Sequence, residues 1–241
     1  MKISERIEKN KEVKAMIVAA HPDDAEIGMG GAIVKMIESG WEVIIVDLTD
    51  GEPTPLGTKE IRQKETDTAS KILGIEKRFC LDMPNRYLTA TLEYRRKLAE
   101  TIRIHQPDIL FGPVNEDYHP DHIEAAKLID GARFEAKFHK TDMKGVPWWV
   151  PKLYSYFSIH KMNYDKPSFI IDISDQWERK FKAIQAYQSQ TNNNSFKSTN
   201  LLERVEVIFR YFGQRIDTKY GEPFISNEPI SIKNLSIMNH D

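Results

Sequence analysis

The feature that most constrains this chain is a strand-like apolar run followed by a helical pattern, a unit that occurs four times before residue 137. Lys14 to Ala20 is short and almost continuously apolar, as a strand buried on both faces requires. Ile27, Ile33, Val34 and Ile37 then follow at near-helical spacing between Glu26 and Ser39, and Gly40 closes the segment. Glu42 to Leu48 reads as the second strand, and Thr58 is placed to cap a helix running to Leu73, with Gly74 behind it. Arg78 to Leu81 and Ile109 to Phe111 read as the third and fourth strands, followed by helices over Leu92–His105 and Asp121–Ala136. The alternation predicts an α/β fold, a Rossmann-like parallel sheet sandwiched by helices. Beyond it the pattern is less regular: strands over Lys152–Phe157 and Ser168–Ile173, helices over Trp177–Tyr187 and Leu201–Phe212. One domain over residues 1–241 is expected, with 1–13 an N-terminal extension and about 150–241 a C-terminal elaboration. Thr191 to Asn200 reads as a polar loop, containing an Asn193-Asn194-Ser195 match to a glycosylation acceptor.

Composition narrows the class of function. Hydrophobic residues make up 40% and charged residues 29%, enough for a sizeable core. The net charge is −2 with both signs interspersed, so no nucleic-acid or membrane surface is expected. Met1 to Lys14 has no apolar stretch fit for a signal peptide or a membrane span, and a cytoplasmic setting is expected. A single cysteine, Cys80, excludes an intramolecular disulfide, and its apolar neighbours place it as a buried core thiol.

Ligands of open parallel sheets bind beyond the carboxyl ends of the strands, where strand order reverses. In a 3-2-1-4 order, strands one and four lie side by side at that point. His21-Pro22-Asp23-Asp24 follows strand one, and His119-Pro120-Asp121-His122 follows strand four. Topology alone therefore brings together three histidines and three aspartates. Three protein ligands with N and O donors at about 2.0–2.2 Å, plus water, make a catalytic zinc site. His21, Asp24 and His122 would form such a set, leaving a carboxylate to act as general base and a histidine to donate to an oxyanion.

These segments resemble the LmbE-like deacetylase family, also called the PIG-L family. The resemblance rests on Ala20-His21-Pro22-Asp23-Asp24 with Glu26, on Gly28-Met29-Gly30-Gly31, and on His119-Pro120-Asp121-His122. Weaker matches follow in the same order: Asp47-Leu48-Thr49, Gly57-Thr58 with Arg62 and Glu65, Met83 to Arg86, Ala186 to Gln190, and Tyr220 to Phe224. The resemblance is closest to the bacillithiol-biosynthesis branch. It implies a zinc-dependent hydrolase that removes acetate from an N-acetylglucosaminyl conjugate, with one Zn2+ per chain and a homo-oligomeric state. By matching position it implies His21, Asp24 and His122 as zinc ligands and Asp23 as the base that activates water. It implies His119 as oxyanion stabiliser, Asp121 as the carboxylate that orients it and keeps it protonated, and Arg62 and Tyr220 as substrate-binding residues. Relatives often carry Arg where this chain has Tyr118, so a contact of that arginine with substrate is not carried over.

Two alternatives stand beside this reading. One is an amidase acting on another amide, such as a thiol conjugate or a lipid-linked acetamido sugar. The other is a non-catalytic nucleotide-binding module, since Gly28-Met29-Gly30-Gly31 after a strand is similar to a dinucleotide-binding turn. That fingerprint's third glycine is missing, and close helix-to-sheet packing explains the glycines as well. Trp148-Trp149 fits a sugar rim, a subunit contact or ordinary packing. Met29 and Met36 read as core, and His105, His139, His160 and His240 as structural or solvated.

Overall fold

The computed structural model describes residues 13–161, 166–192 and 200–231. The N-terminal extension, the glycosylation match, most of the polar loop before Asn200 and His240 lie outside them. The elements run β1 (Lys14–Ala19), α1 (Asp24–Glu38), β2 (Glu42–Thr49), α2 (Lys59–Leu73), β3 (Lys77–Met83), α3 (Leu92–His105), β4 (Ile109–Pro113) and α4 (Pro120–Glu135). Then come β5 (Lys152–Tyr156), β6 (Phe169–Asp172), α5 (Trp177–Gln185), the single turn α6 (Gln188–Thr191), α7 (Leu201–Gln214) and β7 (Gly221–Ile225).

One seven-stranded sheet in the order β3-β2-β1-β4-β5-β7-β6 carries the molecule. The 3-2-1-4 order expected from sequence is its left half. β1 pairs in parallel with β2 on one side and β4 on the other, in the register Ala15–Ile109, Met16–Leu110 and Ile17–Phe111. Successive β1 side chains serve opposite faces, as the pleat demands. Ala15, Ile17 and Ala19 enter the core that includes Met29, Ile33 and Leu73 of α1 and α2. Met16, Val18 and Ala20 enter the core with Leu98, Ile102 and Leu128 of α3 and α4. A third core, built from Ile27, Trp177, Phe209, Phe212 and Tyr220, joins α5, α7 and the residue before β7 to the start of α1.

The C-terminal elaboration therefore extends the sheet. β7 runs antiparallel to β5 and β6. Sequence reading misses β7 because Gly221, Glu222 and Pro223 are all poor strand formers. Proline is tolerated because the β5 ladder involves only Phe224 and Ile225. Thr58 caps α2 as expected, its hydroxyl accepting from the Ile61 amide, and Gly74 takes a positive φ of 84° behind it. Met29 and Met36 are buried in the core as read.

Cys80 is a correction. It is exposed, because β3 is an edge strand whose outer residues face solvent. Trp148 is half-buried and donates from its indole to the Pro107 carbonyl at 2.7 Å. Trp149 is 47% exposed and stacks under Arg133.

The glycines after β1 serve packing. A Cβ on Gly28 would collide with the Tyr156 ring, which is held by its hydroxyl on the Val18 carbonyl at 3.2 Å. Gly28→Ala gains at most about 1 kcal/mol of helix propensity. It forces overpacking that typically costs about 1–3 kcal/mol. The expected net is a loss of stability, measured as a lower denaturant midpoint; an unchanged or higher midpoint would mean that Tyr156 yields freely.

Candidate metal centre and active site

β1 and β4 end side by side, and the chain leaves each strand into a helix. Asp23 precedes α1 at φ 116°, ψ −27°, a strained conformation for a non-glycine residue. His119 caps α4 with Pro120 at the first helical position, where its missing N–H costs nothing. The two turns meet beside a cavity of about 300 Å³ lined by His21, Asp23, Asp24, Ile27, Arg62, Arg86, His119, Tyr156, His160 and neighbours.

Asp24 sits between two imidazoles. Its Oδ2 lies 3.3 Å from His21 Nδ1 and its Oδ1 lies 3.2 Å from His122 Nε2. The His122 Nε2 is buried yet has no hydrogen-bond partner. One donor atom from each of His21, Asp24 and His122 falls within 4.8 Å of the others. A buried ring nitrogen without a hydrogen-bond partner, facing a carboxylate and a second imidazole, is what a divalent cation would satisfy once it displaces the ring proton, so the residues fit a zinc-type ion. A second group, His21, His119 and Asp121, overlaps the first through His21. It fits a cation less well, because the Asp121 carboxylate already accepts from the Arg86 amide at 2.7 Å and the Leu88 amide at 3.3 Å.

Asp117 is a candidate site residue that no sequence motif marks. Its carboxylate meets His122 Nδ1 at 2.8 Å, fixing the ring and leaving Nε2 for a metal. Despite burial, hydrogen bonds from His122 and its neighbours hold Asp117 down at about 2. The signal is a carboxylate five residues before a candidate ligand histidine, a spacing too common in loops to stand out. His160, read as structural or solvated, lines the cavity instead. Its ring lies 5.6 Å from that of His119 and 5.3 Å from that of His122. No motif marks it, because it arrives from the loop after β5.

Adjacent carboxylates behave oppositely. Burial pushes Asp23 up to about 7, with Arg62 opposing the rise and Asp24 adding to it. Burial also acts to raise Asp24, but His122 and His21 hold it well below the ordinary carboxylate range. Arg62 donates from Nη2 to Asp23 Oδ2 at 3.2 Å, while its buried Nε and Nη1 have no partner. Burial, then the charges of His21 and His122, push His119 down to about 4. Burial opposes charge on His21 and His122 too, but the surrounding carboxylates win and raise them to about 9 and about 10.

Two expectations need correction. The Asp121 carboxylate meets His21 Nε2 at 3.0 Å, and it is the Asp121 backbone amide that donates to His119 Nδ1 at 3.2 Å. His119 is therefore set as a neutral ring carrying its proton on Nε2. Tyr220 does not line the cavity. Its ring stacks on Trp177 at 3.9 Å and its hydroxyl is paired with Glu206 and Arg210, in the core under α7.

The geometry agrees with what the chain is similar to. A family model described as GlcNAc-PI de-N-acetylase (PIG-L) matches residues 16–132. Over 230 residues the chain is 30% identical to the diacetylchitobiose deacetylase of Thermococcus kodakarensis, covering 88% of this chain and 82% of that protein. The chain belongs to the PIG-L family. Its fold is shared with a conserved protein of Thermus thermophilus, with a TM-score of 0.84 and 34% identity over 91% of this chain and 97% of the other. Membership places the protein among N-deacetylases, hydrolases of amide C–N bonds. Sequence similarity also extends to an enzyme named for another reaction. The 4-oxalmesaconate hydratase of Pseudomonas putida is 27% identical over 217 residues, covering 83% of each chain. The substrate has to be argued from the side chains. No helix among the described residues is long and apolar enough to cross a membrane.

The raised histidines set a pH dependence for the metal-free protein. Both pKa values lie above the unfolded value of about 6.5. Their contribution to stability is therefore full below that pH and is lost as pH rises through about 9 to about 10. Metal binding at neutral pH must displace these protons. Calorimetric zinc titration in buffers of different ionisation enthalpy should show release of about two protons per metal and affinity rising with pH. Zinc binding without proton release would contradict this electrostatic picture.

Proposed function

We propose that this PIG-L protein is a zinc-dependent deacetylase of an N-acetylglucosaminyl conjugate of the bacillithiol-pathway type, releasing acetate and a free amino sugar. The observation that carries the reading is the convergence of His21, Asp24 and His122 on one point, with Asp23 beside them near neutrality. Zinc held by these three side chains would supply Lewis-acid chemistry, polarising the acetamide carbonyl and acidifying water.

The remaining work falls to the chain's own residues. Asp23 takes the proton of the attacking water and returns it to the leaving amine, a double role suited to a carboxyl poised at about 7. His119 donates from Nε2 toward the developing oxyanion. Asp121 holds His21 by its carboxylate and His119 by its backbone amide. The unpaired donors of Arg62 are suited to the acetyl oxygen or the product carboxylate. Nucleotide binding loses its main support: Asp23 and Asp24 put two carboxylates where a pyrophosphate needs amides, and the glycines face Tyr156 and Ile173.

Asp23→Ala should keep zinc and lose roughly 10²–10⁴ of turnover, the usual worth of a positioned acid–base group. His122→Ala should lose both metal and turnover. Metal analysis of the purified variants decides the assignment, and equal zinc loss in the two would reverse it. Amine release should be measured across diacetylchitobiose, an inositol glycoside of N-acetylglucosamine and a conjugate with a carboxylated aglycone. Chelator-sensitive activity on one of them supports the reading; none with metal loaded would sink it.

A further inference from the structure

The helix that carries the metal-holding turn is broken. Met29 leaves helical space at φ −150°, ψ 25°, so α1 is two helices end to end, residues 24–28 and 30–38. A break strands carbonyls on one side and amides on the other. Residues 25–34 are all buried, so water is not there to satisfy them. Two side chains from the C-terminal part meet both ends. Glu222 on β7 accepts from the Gly31 amide at 2.8 Å on Oε1 and from the Ala32 amide at 2.6 Å on Oε2. Lys180 on α5 donates to the Ile27 carbonyl at 2.8 Å and to Glu222 Oε1 at 2.6 Å. Its ammonium also lies 3.3 Å from the centre of the Phe209 ring. Both side chains are fully buried. Gly30 leaves the room they need, since a Cβ there would lie 3.1 Å from the Lys180 stem.

We infer that Lys180 and Glu222 are positioning residues: by capping both sides of the break in α1 they fix the short segment that presents Asp23, Asp24 and Ile27 to the site. The inference rests on the metal-centre reading above. Residues 24–28 make little more than one turn, too short to hold a helix unaided. That segment begins with Asp24, follows the strained Asp23, and lines the cavity with Ile27. Its far end is the carbonyl that Lys180 holds. A buried ion pair is rarely the most stable filling for its volume, because desolvation offsets the attraction. What this pair supplies is a fixed geometry at a helix break. The C-terminal elaboration thereby sets the angle of a metal ligand that belongs to the sheet core.

The test separates positioning from general stability. Glu222→Leu, Glu222→Gln and Lys180→Met are compared with Arg103→Met. Arg103 is also buried and bridges carbonyls of Phe138 and Gly145, away from the site. Two readouts need no substrate: hydrogen exchange of metal-free protein over residues 21–32, and release of loaded zinc into excess chromophoric chelator. Glu222→Leu and Lys180→Met should speed zinc release by about tenfold or more, the usual effect of losing an outer support of a metal site. Exchange over 21–32 should rise in the same variants, with Glu222→Gln intermediate because it keeps one acceptor oxygen. The Arg103 variant should lower Tm while leaving zinc release unchanged. Unchanged release in the Glu222 and Lys180 variants, or equally fast release in the Arg103 variant, overturns the inference. If Glu222→Leu does not fold, Glu222→Gln decides alone: wild-type release rates in it overturn the inference. A wild-type protein that binds zinc but turns over no acetamide would defeat the deacetylase reading and leave this one standing.

Discussion

The parallel ladder between β1 and β4 is the constraint on which the rest of the molecule depends. It joins residues about ninety positions apart, Ala15 to Ile109 and Ile17 to Phe111, in the middle of a sheet covered on both faces. Each strand end hands the chain to a helix, α1 and α4, that packs against opposite faces of the sheet. The two turns must therefore face each other across the gap where strand order reverses. A slip of one residue in this register would send every β1 side chain to the wrong core. It would also carry His21 to Asp24 away from His119 to His122. Packing in the core and geometry in the site are the same requirement.

What the ladder brings together is electrostatically costly. Asp23, Asp24, Arg62, His21, His119 and His160 line one cavity, with His122 and Asp121 packed beside them, and their energies differ by neighbour more than by type. Asp23 and Asp24 are consecutive and both shielded from water. Two imidazoles hold Asp24 ionised, whereas a single guanidinium leaves Asp23 close to neutrality. Environment alone thus suits the two carboxylates to the two roles proposed for them, one as ligand and one as proton carrier.

The sequence made β1, β2 and β4 legible, because both-face burial writes continuous apolar runs that no surface segment imitates. It also made the two histidine–carboxylate turns legible, because strand order predicts their meeting without any measured distance. Legibility fails where a residue arrives from an irregular loop or works through an unremarkable partner. His160 reaches the cavity from the segment after β5, and Asp117 acts through His122; neither has a spacing that separates it from ordinary loop chemistry. β7 hides behind Gly221 and Pro223. Tyr220 shows the opposite failure: a matching motif suggested the pocket, while the stacking of its ring on Trp177 places it in the core. The family resemblance pairs the Asp121 carboxylate with His119, yet the backbone amide makes that contact and the carboxylate serves His21.

The most direct test of the central claim is anomalous diffraction at the zinc absorption edge from crystals of the zinc-loaded protein. The account predicts one peak per chain at bonding distance, about 2.0–2.2 Å, from His21, Asp24 and His122, with Asp23 uncoordinated beside it. A peak held by His21, His119 and Asp121, or no ordered metal between the two turns, would contradict it.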